Sequence, residues 1–228
     1  MQKELDYLGK AIAEPERPYC AILGGAKISG KIDVIQNLMP KVDTLIIGGG
    51  MAYTFYKALG YEIGKSLLEE EKVPLAKQIL DEAKAKNINL LIPVDTIVAS
   101  EFNNDSPAQS VDADKIPADK MGMDIGPKTV DAFRKAVLES KTIVWNGPMG
   151  VFEFDNFAAG TNAIADALVE ATAKGAVTII GGGDSAAAIK KAGLEDKVSH
   201  ERLFSISCKE NYLYINDFPD LFYGINSV

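Results

Sequence analysis

The chain has 228 residues, 47% of them hydrophobic, which is enough to bury a full core and fits one α/β domain better than two of ordinary size. Twenty-four basic residues against thirty-two acidic ones leave a formal charge of −8, with the acids spread through Glu69-Glu70-Glu71, Asp81-Glu82 and Asp112 to Asp119, so no clustered Lys/Arg surface for nucleic acid is expected. Cys20 and Cys208 form no CxxC pair, His200 is the single histidine, no apolar run reaches a membrane span and Met1 to Glu4 open no signal peptide; a cytoplasmic protein with no membrane partner is expected.

Leu5, Leu8 and Ile12 recur at helical spacing until Glu14-Pro15-Glu16-Arg17-Pro18, where two prolines block continuation; residues 1–18 read as a leading helix and linker. Short apolar runs then alternate with amphipathic stretches. Tyr19 to Leu23, Thr44 to Ile47, Leu90 to Val94, Thr142 to Trp145 and Val177 to Ile180 read as strands buried on both faces. Between them, Ser66 and Glu69 form the pattern of a capping box ahead of Val73, Ala76, Ile79, Leu80 and Ala83. Thr129 stands as the cap of a helix with Val130, Phe133 and Val137 on its apolar face, and Ile164, Leu168 and Ala171 mark another that ends near Gly175. This alternation over residues 19–200 predicts right-handed crossovers and a Rossmann-like three-layer αβα sandwich around a parallel sheet. Residues 201–228 break the pattern: they contain no alanine but carry Phe204, Tyr212, Tyr214, Phe218, Phe222 and Tyr223. Leu203 to Ser207 and Tyr212 to Ile215 are candidate arms of a hairpin.

Three glycine clusters, Gly24-Gly25, Gly48 to Gly50 and Gly181 to Gly183, each end a strand and lead toward a helix. A strand that ends this way exposes backbone N–H groups at the positive end of a helix, with no Cβ to hold an anion away, which suits phosphate. Glycine also serves simply to turn a tight corner. Lys27 and Lys31, four residues apart at the expected helix start, can both reach such an anion; a solvated surface pair is the alternative. Gly25 to Lys31 satisfies most of the GxxxxGK pattern, but Ile32 stands where a P-loop needs Ser or Thr. Gly181 to Ala186 fits GxGxxA only formally, since no strand ending in an acid is expected about 20 residues later. Asp184 among phosphate-binding amides is repulsive unless a cation such as Mg2+ intervenes; otherwise it caps the helix. A fourth turn, Trp145 to Glu153, offers Asn146 as a donor and Glu153 as an acceptor for sugar hydroxyls.

Taken together, Gly24-Gly25-Ala26-Lys27 with Lys31, Gly48-Gly49-Gly50-Met51, Met123 to Thr129, Asn146-Gly147-Pro148 with Val151-Phe152-Glu153, and Gly181 to Ser185 closely resemble the nucleotide-binding, C-terminal half of phosphoglycerate kinase, in order and in spacing. The resemblance runs from about Gln2 to His200. It implies phosphoryl transfer in glycolysis between 1,3-bisphosphoglycerate and ADP, giving 3-phosphoglycerate and ATP, with magnesium, in a cytoplasmic monomer. By the same resemblance Lys27 would stabilise the phosphoryl group in flight and Lys31 would hold the α-phosphate. Asn146 would face the phosphates, Glu153 the ribose hydroxyls and Asp184 the magnesium, and Pro148 would belong to the same nucleotide-binding set. Gly182, Gly183 and Ser185 would frame the phosphate-proximal helix start, and Gly24, Gly25, Gly49, Gly50 and Met123 would surround the adenine. Chemistry of this kind rests on positioning and charge neutralisation, and needs no protein nucleophile.

Two departures qualify what the resemblance implies. A full-length member has an N-terminal domain whose Arg and His residues grip the phosphoglycerate, and this chain begins near the interdomain hinge, carrying only Arg17, Arg134 and Arg202. After Val198-Ser199-His200 the family continues with a further glycine-rich turn, replaced here by Glu201-Arg202-Leu203-Phe204. The expectation is therefore a nucleotide-binding half that is incomplete for catalysis alone; the alternative is a non-catalytic binding or interaction module with a vestigial site.

Overall fold

The first strand, β1 (Tyr19–Leu23), is buried along its whole length and divides its side chains between two cores by simple alternation. Tyr19, Ala21 and Leu23 join one apolar cluster, while Cys20 and Ile22 join another on the opposite face. The structure is a computed structural model that describes residues 14–201, with side chains through residue 199, and the backbone of 206–209 and 212–215. The expected leading helix over Leu5, Leu8 and Ile12 lies outside the described residues.

From β1 the chain passes through α1 (Ile32–Leu38), β2 (Thr44–Ile47), α2 (Ala52–Ala58), α3 (Val73–Ala85) and β3 (Asn89–Leu91). An antiparallel insertion follows, β4 (Asp95–Ala99), β5 (Gln109–Asp112) and β6 (Met121–Ile125), paired in the order β5-β4-β6. Then come α4 (Pro127–Leu138), β7 (Thr142–Asn146), α5 (Ala159–Ala173), β8 (Val177–Gly181), α6 (Gly183–Lys191) and β9 (His200–Glu201). The main sheet is parallel throughout, in the order β3-β2-β1-β7-β8-β9. Strand order therefore reverses between β1 and β7, and the carboxyl ends of strands at such a reversal border a ligand-binding crevice. Val34, Ile35 and Leu38 of α1, Phe55 of α2 and Ile79 of α3 cover one face; Phe133 of α4, Ile164 and Leu168 of α5 and Ile189 of α6 cover the other. The expected three-layer αβα sandwich is present.

Several local expectations need correction. The third strand stops at Leu91, because Pro93 cannot donate to a ladder and Val94, at 54% exposure, has left the sheet. The capping box does not form: the Ser66 hydroxyl accepts the Gly122 N–H and the Glu69 carboxylate accepts the Ser29 N–H. Thr129 is not a cap, since α4 begins at Pro127 behind Gly126. A strand does follow the third glycine cluster, the two-residue β9, where none was expected. In the tail, β10 (Ile206–Lys209) pairs antiparallel with β11 (Tyr212–Ile215), so Cys208 and Lys209 belong to a strand and not to the connection; Leu203 to Ser205 lie outside the described residues.

The insertion is the largest feature that periodicity did not announce. It packs on α2 through Tyr53 and Tyr56 against Val98, Ala113 and Ile116. A Cβ on Gly122 would lie 1.8 Å from the Tyr53 hydroxyl oxygen, so only glycine lets β6 pass. Its first residue, Asp95, is fully buried and serves α4 from a distance: Oδ1 accepts the Thr129 N–H at 2.8 Å and hydroxyl at 2.6 Å, and Oδ2 accepts the Lys128 N–H at 3.0 Å. These are donors at a helix start that have no partner within the helix. Replacing Asp95 with Ala leaves the Lys128 and Thr129 amides unmet, while the Thr129 hydroxyl keeps the Asp95 carbonyl at 3.1 Å, and is expected to lower stability by about 2–4 kcal/mol. Denaturant unfolding measures this, and an unchanged midpoint would contradict the assignment.

Candidate functional site

At the reversal point, the loop Gly147–Val151 leaves β7 and touches every neighbour at that end of the sheet. The Gly147 N–H donates to the Ser185 hydroxyl at 2.6 Å, and the Gly147 carbonyl accepts the buried Trp145 indole N–H at 2.7 Å. The Pro148 carbonyl accepts Gly25 N–H at 3.0 Å, and the Met149 carbonyl accepts Gly49 N–H at 3.0 Å. Met149 N–H donates to the Thr161 hydroxyl at 3.0 Å, and Val151 N–H to the Met123 carbonyl at 2.8 Å. One loop thus joins both glycine turns of the first half, the start of α6, helix α5 and strand β6.

Those bonds change the meaning of the first two glycine clusters. Gly24 N–H donates to the Asn146 carbonyl at 2.9 Å and Gly48 N–H to the Leu23 carbonyl at 2.8 Å, so the amides of Gly24, Gly25, Gly48 and Gly49 are all taken by other backbone. They cradle no anion. Their glycines are required for close approach instead: a Cβ on Gly24 would lie 2.2 Å from the Pro148 carbonyl oxygen, and one on Gly49, at φ +69°, would lie 2.5 Å from Gly25 N. Helix α1 also starts later than expected, at Ile32, so Lys27 sits in the loop before it and does not share a helical face with Lys31.

The third cluster behaves differently. Gly182 turns the chain at φ +90°, and α6 begins at once with Gly183, Asp184 and Ser185. The N–H groups of these first-turn residues have no partner among the described residues, and the helix dipole adds to them. Asp184 does not cap the helix: its side chain makes no cap hydrogen bond and is exposed. The capping alternative is thereby removed, and an acid remains beside three free amides. The dinucleotide alternative no longer fails for want of a following strand; it fails because this turn follows β8, one strand away from the reversal point where that fingerprint belongs.

Beside the loop lies a cleft of about 520 Å³. Of the residues expected in the site, Gly25, Gly49, Gly50, Met123, Pro148, Glu153 and Asp184 line it; Gly24, Lys27, Lys31, Asn146, Gly182, Gly183 and Ser185 are not among its lining and lie beneath or beyond it. Gly25, Gly49 and Gly50 contribute lining without side chains, and Met123 and Val151 line the same cleft, a combination suited to a flat ring. Tyr53, Leu67 and Phe102 were not anticipated. Leu67 and Phe102 are 56% and 62% exposed at this cleft, an unusual placement for large apolar groups.

Charges are arranged around the cleft. The Lys31 ammonium donates to Asn146 Oδ1 above the α6 start; burial lowers its pKa, and the opposite charge of Asp184 partly offsets this. Lys27 is exposed, with no side-chain hydrogen bond or ion pair among the described residues, in a loop tethered by the Glu69–Ser29 contact at 3.1 Å. Asp124, behind the cleft wall, accepts Ile125 N–H at 2.8 Å and Gly160 N–H at 2.7 Å. A Cβ on Gly150 would lie 2.2 Å from Asp124 Oδ1, so this carboxyl is enclosed by the loop and by the start of α5. Burial pushes its pKa up to about 7, against the pull of its two amide donors.

The family profile described as phosphoglycerate kinase matches residues 1–202. A phosphoglycerate kinase of Prosthecochloris aestuarii is 62% identical over 200 residues, covering 88% of this chain and 50% of the relative; that of Chlorobaculum tepidum is 58% identical with the same coverage. The structure of phosphoglycerate kinase from Coxiella burnetii superposes with a TM-score of 0.83 at 44% identity, over 87% of this chain and 50% of the other. The Pyrococcus horikoshii enzyme superposes with a TM-score of 0.73 at 29% identity, over 88% and 50%. The chain spans about half the length of the relatives it matches.

The enclosed carboxyl gives a pH signature. Folded Asp124, near 7, retains a proton that the unfolded carboxyl releases near about 3.9. Its contribution to stability is therefore greatest below about pH 4, falls as pH rises toward 7, and is level above that. The difference in unfolding free energy between the natural chain and Asp124→Asn is expected to shrink across this window. A difference that grows with pH would contradict the burial argument.

Proposed function

The chain belongs to the phosphoglycerate kinase family, and from that premise we propose that it is the C-terminal, nucleotide-binding half of such an enzyme. The observation that carries the proposal is that Asp184, uncapped and standing with three unpartnered amides at the α6 start, lines one cleft together with Glu153 and the glycines Gly25, Gly49 and Gly50. Adenine lies over Gly25, Gly49 and Gly50, beside Met123 and Val151. Glu153 meets the ribose hydroxyls. The phosphates run to Gly183, Asp184 and Ser185, where amides and dipole receive them and Lys31, held by Asn146, approaches the α-phosphate.

The donor set at Asp184 fits magnesium. Its carboxylate is exposed and uncapped, and among the described residues no group of three or more His, Cys, Asp or Glu forms a dedicated metal cage. A hard cation shared between one carboxylate, phosphate oxygens and water suits such a site. When bound, the ion would neutralise phosphate charge. The exposed Lys27, whose charged neighbour is Glu69, then stabilises the phosphoryl group moving between 1,3-bisphosphoglycerate and ADP, a reaction that depends on positioning and charge.

The grip on phosphoglycerate is assigned to the other half of the family's enzyme. Arg17 pairs with Asp43 at 2.7 Å and Arg134 pairs with Glu170; neither lines the cleft, and Arg202 lies outside the described residues. This chain alone accordingly binds Mg-ADP without completing transfer, as a monomer in the cytoplasm. Calorimetry with Mg-ADP tests the reading: saturable binding within millimolar nucleotide is expected, and Lys31→Ala should weaken it by about tenfold or more, the scale of one charged hydrogen bond. Absence of binding would favour a vestigial site, and an unchanged affinity for Lys31→Ala would reject its role.

A further inference from the structure

Lys191 closes α6 and does not line the cleft, yet its ammonium lies within hydrogen-bond distance of three acceptors on the loop that carries Glu153. It donates to the Phe152 carbonyl at 3.1 Å and the Glu153 carbonyl at 3.3 Å, and pairs with Asp155 Oδ1 at 2.6 Å. The Lys191 and Asp155 side chains are 44% and 82% exposed, so the ion pair itself contributes little. The main-chain contacts matter more. The Glu153 carboxylate has no hydrogen bond or ion pair of its own among the described residues, so the point from which its side chain meets the cleft is set by its backbone, and Lys191 holds that backbone.

The other end of the same helix carries the three free amides and Asp184. A nine-residue helix is a rigid rod of about 13 Å, and it holds both ends of the site: its first turn faces the phosphates, and its last reaches the loop that faces the sugar. We propose that Lys191 is a positioning residue for the nucleotide, fixing Glu153 relative to the α6 start through the Phe152–Asp155 loop. The inference rests on the nucleotide reading of the cleft and assigns Lys191 to recognition of the sugar-bearing part of the ligand, not of its phosphates.

The test titrates Mg-ADP and, separately, magnesium pyrophosphate into the chain and its variants. Lys191→Met is expected to weaken ADP by about tenfold while pyrophosphate changes by less than about twofold. Lys191→Arg should restore most of the loss, and Lys191→Met added to Glu153→Ala should cost nothing further, because the two act through one contact. Unchanged ADP affinity, equal losses for both ligands, or additive losses would each overturn the proposal. Amide hydrogen exchange of the free protein provides a readout without ligand. The Phe154 N–H, bonded to the Val151 carbonyl at 3.0 Å, should exchange faster in Lys191→Met, and unchanged exchange would overturn the clasp. A natural chain that binds neither ligand would contradict the nucleotide reading itself, while the exchange result would still judge the clasp.

Discussion

The site depends on one constraint: a loop of five residues must lie flat against two glycine turns. Pro148 and Met149 lend their carbonyls to Gly25 and Gly49, and Gly147 lends its N–H to Ser185. No side chain fits in these contacts. A Cβ on Gly147 would lie 2.3 Å from the Gly24 carbonyl oxygen, and one on Gly48 would lie 2.4 Å from Met149 Sδ. The loop therefore locks the ends of β1, β2, β7 and β8 into one surface. What lies against that surface inherits its shape: a smooth glycine floor on one side and the α6 amides on the other.

This arrangement divides the labour among turns that look alike in sequence. A glycine-rich turn can contribute free amides or the absence of side chains, and here the two roles are separated. The first two clusters spend the amides of Gly24, Gly25, Gly48 and Gly49 on backbone and contribute smoothness, which suits a ring. The third keeps its amides and contributes charge, which suits an anion. Asp184 sits beside those amides, so in the proposed reading a cation shared between its carboxylate and the anion is part of the recognition. Asp124 and Lys191 support the two sides from outside the cleft, one under Gly150 and one under Glu153.

Much of the fold was legible because its signals are local. Strands buried on both faces read as apolar runs, and the Ile164, Leu168, Ala171 face of α5 repeats every turn. The insertion was not legible: Gln109-Ser110-Val111-Asp112 and Met121-Gly122-Met123-Asp124 carry no strand periodicity, and their place depends on Tyr53 and Thr96, far away in sequence. The capping box failed for a related reason. Ser66 and Glu69 have the right spacing, but remote N–H groups claimed their oxygens first. Motif order and family resemblance pointed to seven of the residues that line the cleft and not to Tyr53, Leu67 or Phe102, and glycine chemistry alone misjudged two of three turns. The fourth turn, which says little in isolation, is the hub, because its bonds to Gly25, Gly49, Met123, Thr161 and Ser185 each reach at least twelve residues along the chain.

The most direct test of this account follows backbone amides by heteronuclear NMR as magnesium pyrophosphate and adenosine are added in turn. Pyrophosphate should shift Gly183, Asp184 and Ser185 and leave Gly25 and Gly49 in place, since their N–H groups are already bonded at 3.0 Å to the Pro148 and Met149 carbonyls. Adenosine should perturb the signals of Gly25, Gly49, Gly50 and Met123 through ring currents. Pyrophosphate shifts concentrated at Gly25 and Gly49, with the α6 start silent, would contradict the division of labour among the turns.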